Sequence, residues 1–494
     1  MALNLITDPW IPVFDRDGTR RLIAPWQMAD MAIARLDWPR ADLNVACLEL
    51  LIGLVFLADP PQDIDDWQDR QAPDPDRLKA RLEPFAPAFN LMGDATGKGP
   101  RFMQDFDDLP GAPNTVDMLF IDSAGGQTIK NNADLMVWRD RYPALEPALA
   151  AMAIYTLQAF APSGGAGNRT SMRGGGPMVT LVQPEGGLWP LIWANTPDGT
   201  PATPDVLPWM RKTTTSEKGQ EVWPAMRHPS EAFFGLPRRL RLVATDGLIS
   251  GVIQRPYGVN YAGWDHPLTP YYRLKPTEDW LPKHPRAGLF GYRNWLGVVL
   301  AQGGDDGTTR RATVLRQWFE RSGGGGARVL VAGWAMSNMK PMDFVLSTPP
   351  LLALDAMAQA RVSGLIEAAD LLSLELRAAL GPVLAEGESR EAVREAFYAQ
   401  TQDGFEAAAM ALQSGAEASG VARDWLAVMR RAAMDLFETR ALPGLADRDI
   451  AVQHRIVQAH RHLSAAFAGY GKRGGDAFGA MGLPQPARIG KDAA

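Results

Sequence analysis

The chain of 494 residues is 46% hydrophobic and 21% charged, an ordinary globular composition with room for a substantial core and roughly two to four domains. A formal net charge of −6 argues against nonspecific coating of duplex DNA, where phosphate neutralisation dominates, but leaves room for a local basic patch. Cys47 is the single cysteine, which excludes an intrachain disulfide framework and a cysteine-ligated zinc site and fits a reducing cytoplasm.

The N-terminus lacks the basic and apolar regions of a signal peptide. The longest apolar run, Val45–Ala58, is interrupted by Glu49 and is short for a bilayer span, so a soluble protein is expected. Leu3–Phe14 and Arg20–Ile23 read as short strands around the turn Asp15–Gly18, and Pro9 and Pro12 make one of them an edge. Pro25–Ala34 reads as a short helix, Leu43–Leu57 as a helix buried on most sides, and Asp74–Leu91 as another helix with an exit segment. The polar loop Ser123–Asn132 offers Lys130, Asn131 and Asn132, side chains that read base edges or simply form turns.

Between a helix-like segment, Leu149–Phe160, and a strand-like run, Met178–Val182, lies the stretch Ala161–Pro177. Two glycine clusters there bracket Asn168, Arg169, Thr170, Ser171 and Arg173. Glycine permits close backbone approach to a ligand, successive N–H groups form anion-binding concavities, and arginine matches phosphate geometry. A flexible surface loop has the same composition. The stretch is not a nucleotide-hydrolase phosphate loop, which needs Gly-Lys-Ser/Thr at a helix start. It is not a dinucleotide fingerprint either, since that follows a strand and opens a helix. A loop that holds a nucleic-acid backbone or passes close to a base edge is the sharper reading.

Met178–Gln183 and Leu188–Trp193 read as strands, and Pro201–Arg227 as a long polar loop. Arg239 and Arg241 alternate with Leu240 and Leu242, which gives one strand a basic face. Ile253-Gln-Arg-Pro-Tyr257 is an exposed basic-aromatic spot, and His266 reads as structural. Val314–Phe319 reads as a helix and Arg328–Trp334 as a strand. The loop Ala335–Pro341 then presents Asn338 and Met339, as a wedge between bases or as a packing contact. Helix-like blocks over 352–380, 388–412, 419–441 and 447–468 follow, with Val421, Trp425, Val428, Ala432 and Leu436 at helical spacing. They predict a four-helix bundle. The fold class is α+β: a large mixed N-terminal domain with long loops over 1–350, the bundle over 351–470, and a flexible tail over 471–494. No catalytic motif, metal-ligand set or cofactor fingerprint is present.

The order of these features resembles one family, the large subunit (CasA) of the type I-E CRISPR Cascade surveillance complex. Leu5-Ile-Thr-Asp-Pro-Trp-Ile-Pro-Val13 looks like that family's N-terminus. Gly164–Pro177 running into Val179-Thr180 is similar to its glycine loop, and Phe233-Phe-Gly-Leu-Pro-Arg238 to the segment before its middle region. The resemblance implies a non-catalytic subunit of antiviral defence that sits near the crRNA 5′ handle. Such a subunit reads the protospacer-adjacent motif (PAM) from the minor groove, wedges the duplex open to start an R-loop, and offers a docking platform to the helicase-nuclease. Its implied partners are the other Cascade subunits, the crRNA 5′ handle, target double-stranded DNA and the helicase-nuclease, with no membrane and no cofactor. The family's N-terminal loop contact maps onto Gly126–Asn132, with Ile129, Lys130, Asn131 and Asn132 facing the handle and PAM. Its glycine-loop contacts map onto Gly164, Gly165, Gly167, Asn168, Arg169, Arg173 and Gly174. Its lysine finger falls near Arg255 and its glutamine wedge near Asn338, so arginine replaces lysine, and Met339 is placed to take over the apolar insertion. Two alternatives stand beside this reading: a divergent metal-dependent nuclease or hydrolase with non-local carboxylates, and a pure scaffold subunit.

Overall fold

Ala41–Ala58 is apolar all round, so it has no face to offer to water and must be enclosed. In the computed structural model, which describes residues 3–94, 96–132, 134, 137–165, 167–301, 307–384 and 389–486, it forms helix α1. This helix is long and apolar enough to cross a membrane, yet it is buried inside the protein. Helices α2 (Ile64–Asp69), α3 (Pro75–Leu82) and α4 (Gly126–Lys130) precede α5 (Pro147–Phe160), which is equally apolar and packs along α1. Two shorter helices, α6 (Leu188–Ala194) and α7 (Thr313–Ser322), follow.

Small antiparallel sheets surround this centre. In the first, β1 (Ile11–Asp15) lies between β2 (Arg20–Ile23) and β3 (Ile33–Leu36). The sheet that matters most for the site is ordered β11-β10-β4, with β4 (Val179–Pro184) and β11 (Lys340–Ser347) flanking β10 (Ala327–Ser337). A hairpin pairs β5 (Arg239–Thr245) with β6 (Leu248–Arg255), placing Arg239 opposite Arg255. Three two-residue strands, β7 (Tyr271–Tyr272), β8 (Leu281–Pro282) and β9 (Thr309–Arg310), complete the set.

Several local expectations are corrected. Leu188–Trp193 is a helix, because a short apolar run buried on all sides carries no period that separates strand from helix. Helical spacing stacks Trp189 on Trp193, with ring centroids 5.5 Å apart, and Asn195 closes the turn by bonding both the N–H and the C=O of Val182. Pro25–Ala34 divides into a 3-10 turn, Pro25–Ala29, and strand β3, which gains β1 as a ladder partner. In Asp74–Leu91 the helix ends at Leu82 and the exit segment runs as 3-10 turns over Glu83–Phe89, where Pro84 and Pro87 remove helical donors.

The chain divides into two units, Met1–Gly288 with Thr308–Leu351, and Leu289–Gly307 with Leu352–Ala494. The second contains the expected bundle helices: α8 (Ala356–Ala379), α9 (Arg390–Gln413), α10 (Ala418–Ala441) and α11 (Ile450–Ala466). The carboxylates of Asp355, Glu417 and Asp449 accept first-turn N–H bonds and set three of the starts. The excursion 289–307, assigned from sequence to the N-terminal domain, belongs to this unit because its aromatics fill the bundle. Tyr292 stacks on Phe405 at 4.3 Å and its hydroxyl meets Thr401 Oγ1 at 2.9 Å, while Trp295 packs edge-on against Phe405. Residues 471–481, expected to be a flexible tail, form helix α12 (Gly471–Met481) against α8; 487–494 lie outside the described residues. Its small residues permit the approach: a Cβ on Gly364 would lie 2.1 Å from Ala480 O. Gly364→Leu should therefore destabilise the bundle by about 1–3 kcal/mol through overpacking. A lower unfolding midpoint and faster proteolysis within 470–486 would register it; an unchanged digestion pattern would refute the docking.

Candidate nucleic-acid interface

The stretch Ala161–Pro177 leaves α5 and re-enters at β4, so its two ends are fixed by core elements. Ser171 N–H donates to Ala161 O at 2.9 Å and Gly176 N–H to Phe160 O at 3.1 Å, folding the loop back over the end of α5. Ala166 lies outside the described residues.

The first half of the loop is tied to the turn that follows β6. Tyr257 N–H donates to Gly167 O (2.8 Å), Gln254 Nε2 to Asn168 Oδ1 (3.0 Å), and Arg169 Nε to Ser216 Oγ (2.9 Å). Ser216 N–H donates in turn to Tyr257 O at 3.2 Å. Position 167 must be glycine, since its φ is +77° and a Cβ there would lie 2.7 Å from Tyr257 Cδ1. Tyr257 itself sits at φ 65°, a region that bulky residues rarely adopt, and its ring is exposed. The sequence flagged this spot without assigning Tyr257 a role; the turn-forming neighbours Pro256 and Gly258 were the available signal.

The second half meets the β10–β11 hairpin. A Cβ on Gly175 would come within 2.9 Å of Met339 Sδ, and one on Gly174 within 2.8 Å of His284 Nε2. Asn338 (φ 48°) and Met339 (φ 63°) form the two-residue turn between Ser337 and Lys340, the positive-φ pair of a type I′ hairpin. Both are exposed. His284 has no sequence signal that would have placed it beside the loop.

Arg255 ends β6 and is half-buried. Its guanidinium lies against Gly111, where a Cβ would be 2.5 Å from Nη2, and among the described residues it forms no ion pair. One loop thus touches both the strand end that carries Arg255 and the hairpin tip that carries Asn338 and Met339.

Arg173 does not belong to this exposed surface. It is 3% exposed, sits 2.8 Å from Glu49 of α1, and donates to Thr269 Oγ1 and Ala159 O. Burial pushes the Glu49 carboxyl up, and the Arg173 charge opposes that shift. His266 Nε2 lies 3.7 Å from the same carboxylate, and burial and Arg173 hold this imidazole well below its ordinary value. Leu268 N–H donates to His266 Nδ1, which leaves the neutral ring's proton on Nε2. The basic face expected on β5 is also neutralised, because Arg239 pairs with Asp105 and Arg241 with Asp108, each at 2.6 Å.

Gly126–Asn132 comprises α4 and a turn with Asn132 at φ 49°. Ile129, Lys130, Asn131 and Asn132 are exposed, and Arg139 Nη2 donates to Ile129 O and Asn132 Oδ1. Bridges at Asn114–Val252 and Leu145–Ile249 anchor both flanks of this excursion to β6. A cavity of about 930 Å³ lies at the other end of the β11-β10-β4 sheet from the hairpin tip, beside Pro184 and Ala327. Among the described residues no group of three His, Cys, Asp or Glu side chains is placed to hold a metal ion.

These features define a class: an α+β protein whose glycine-rich loop is clasped between a strand end and a hairpin tip, with a helical bundle toward its C-terminus. Residues 4–436 match the family model of the CRISPR-associated protein Cse1, and the chain belongs to that family. Solved structures with a similar fold include CasA of Thermus thermophilus, at 18% identity and TM-score 0.72, covering 94% of this chain and 99% of that one. Cse1 of Thermobifida fusca is similar at 18% identity and TM-score 0.70, covering 97% and 98%. A chain from a CRISPR RNA-guided surveillance complex is similar at 15% identity and TM-score 0.69, covering 94% and 99%. No curated protein matches the sequence.

Arg173→Met should cost about 3–5 kcal/mol, because it strands the Glu49 carboxylate in the core, and adding Glu49→Gln should recover much of the loss. Denaturant unfolding of the two variants checks this. Equal stability of Arg173→Met and the parent would contradict a buried ionic anchor.

Proposed function

We propose that this chain is the non-catalytic large subunit of a type I-E CRISPR Cascade complex, acting in the cytoplasm in antiviral defence. It recognises the PAM in target double-stranded DNA, wedges the duplex open to start R-loop formation, and helps recruit the helicase-nuclease. The observation that carries this reading is the contact of the 164–176 loop with both Tyr257, beside Arg255, and Met339 at the hairpin tip. Family membership and the likeness to a surveillance-complex chain support it.

Minor-groove readout is degenerate and needs few donors with close backbone approach. Gly164, Gly165 and Gly167 give that approach, Asn168 is held by Gln254 in a fixed orientation, and Arg255 supplies a cation. Met339 is the apolar wedge, with Asn338 beside it. Unstacking costs roughly a few kcal/mol per step and is offset as the guide pairs with its target. Ile129, Lys130, Asn131 and Asn132 face the crRNA 5′ handle and the PAM-proximal backbone in this arrangement. Other Cascade subunits carry the rest of the guide.

The test is target binding by the reconstituted complex, with and without this chain, at fixed salt. The duplexes differ only in the base pairs flanking the target. Flank-dependent binding should require the chain, and Arg255→Ala should weaken it by about 1–3 kcal/mol. Met339→Gly keeps the positive φ and removes the wedge, so it should slow strand opening, read by 2-aminopurine fluorescence, while flank preference persists. Binding that is the same without the chain would overturn the PAM reading and leave the scaffold and nuclease readings, which a cleavage assay on the purified chain separates.

A further inference from the structure

We infer that Arg238 is a phosphodiester-binding cation set beneath the glycine loop, an inference that rests on the nucleic-acid reading above. Arg238 is 7% exposed. Its Nη2 donates to Pro162 O, and its Nε has no acceptor. A Cβ on Gly164 would lie 2.6 Å from its Nη1, so the guanidinium rests directly against the loop. The other buried arginines each face a carboxylate: Arg173 faces Glu49, Arg241 Asp108, Arg321 Asp198, and Arg394 Asp370. Arg238 has no carboxylate at ion-pair distance among the described residues.

A buried cation without a counter-charge is costly, and replacing buried charge by apolar packing commonly stabilises a protein. Burial alone pushes Arg238 down to about 10, so it remains protonated at neutral pH. Its field is poorly screened by salt and emerges at the exposed Gly164 and Gly165. Arg169, held on Ser216 Oγ, and Arg255 stand beside the same half of the loop, and neither forms an ion pair among the described residues. A phosphodiester arriving over this half supplies the counter-charge that the chain omits.

The test uses the reconstituted complex with Arg238→Met and Arg238→Lys. Arg238→Met should weaken binding about equally for every duplex and lower the magnitude of the log K against log salt slope by about one. The unfolding midpoint of the chain should stay level or rise. Arg238→Lys should restore the slope. A second arm measures retention of the guide in the assembled complex: a salt-sensitive loss confined to this arm assigns the phosphodiester to the guide strand rather than the target. Unchanged slopes in both arms, or a chain that is destabilised or fails to fold as Arg238→Met, would make Arg238 a structural arginine and overturn the inference. Absence of flank preference in the wild type would instead defeat the PAM reading, and the salt slope would still report on Arg238.

Discussion

The ion pair between Glu49 and Arg173 joins the middle of the core helix α1 to the glycine loop, 2.8 Å apart and almost wholly enclosed. A loop rich in glycine carries large conformational freedom, which folding must remove. A charge pair in a low-dielectric interior holds position strongly, because separating its members strands both charges. His266, neutral and proton-bearing on Nε2, completes the polar cluster from a third segment. The loop therefore has a fixed point in the core, and its first half is positioned by short bonds to Tyr257, Gln254 and Ser216.

Charge is sorted sharply around that loop. Arg173, Arg239 and Arg241 are neutralised by carboxylates and serve packing. Arg169, Arg238 and Arg255 form no ion pair among the described residues. A chain of net charge −6 thus keeps a local positive field where the proposed partner carries phosphates. Tyr257, Asn338 and Met339, which flank the loop, all occupy left-handed conformations, which persist where surrounding contacts over-determine them.

The helical unit is built on a different principle. Its core is an aromatic cluster, Tyr292, Trp295, Phe405 and Trp425, to which the excursion 289–307 contributes two rings. Gly364 and Gly474 act there by their small size, since they let helix backbones approach closely. Flexibility and close packing follow from the same missing Cβ, and the neighbours decide which is expressed.

The sequence by itself determined the α+β class, the buried α1, the four bundle helices and the importance of Ala161–Pro177, because these rest on local periodicity, uniform apolarity and glycine spacing. It also marked Arg255, Asn338 and Met339 through family resemblance. Only the tertiary structure decided which arginines remain without a carboxylate. Arg173 and Arg169 stand in one loop, yet one meets the Glu49 carboxylate and the other only the Ser216 hydroxyl, and the carboxylate that separates their fates is far away in the chain. The same holds for Leu188–Trp193, for 289–301 and for α12, whose conformations follow from what encloses them. Partner identity across long sequence separations is a property of packing, and composition carries no record of it.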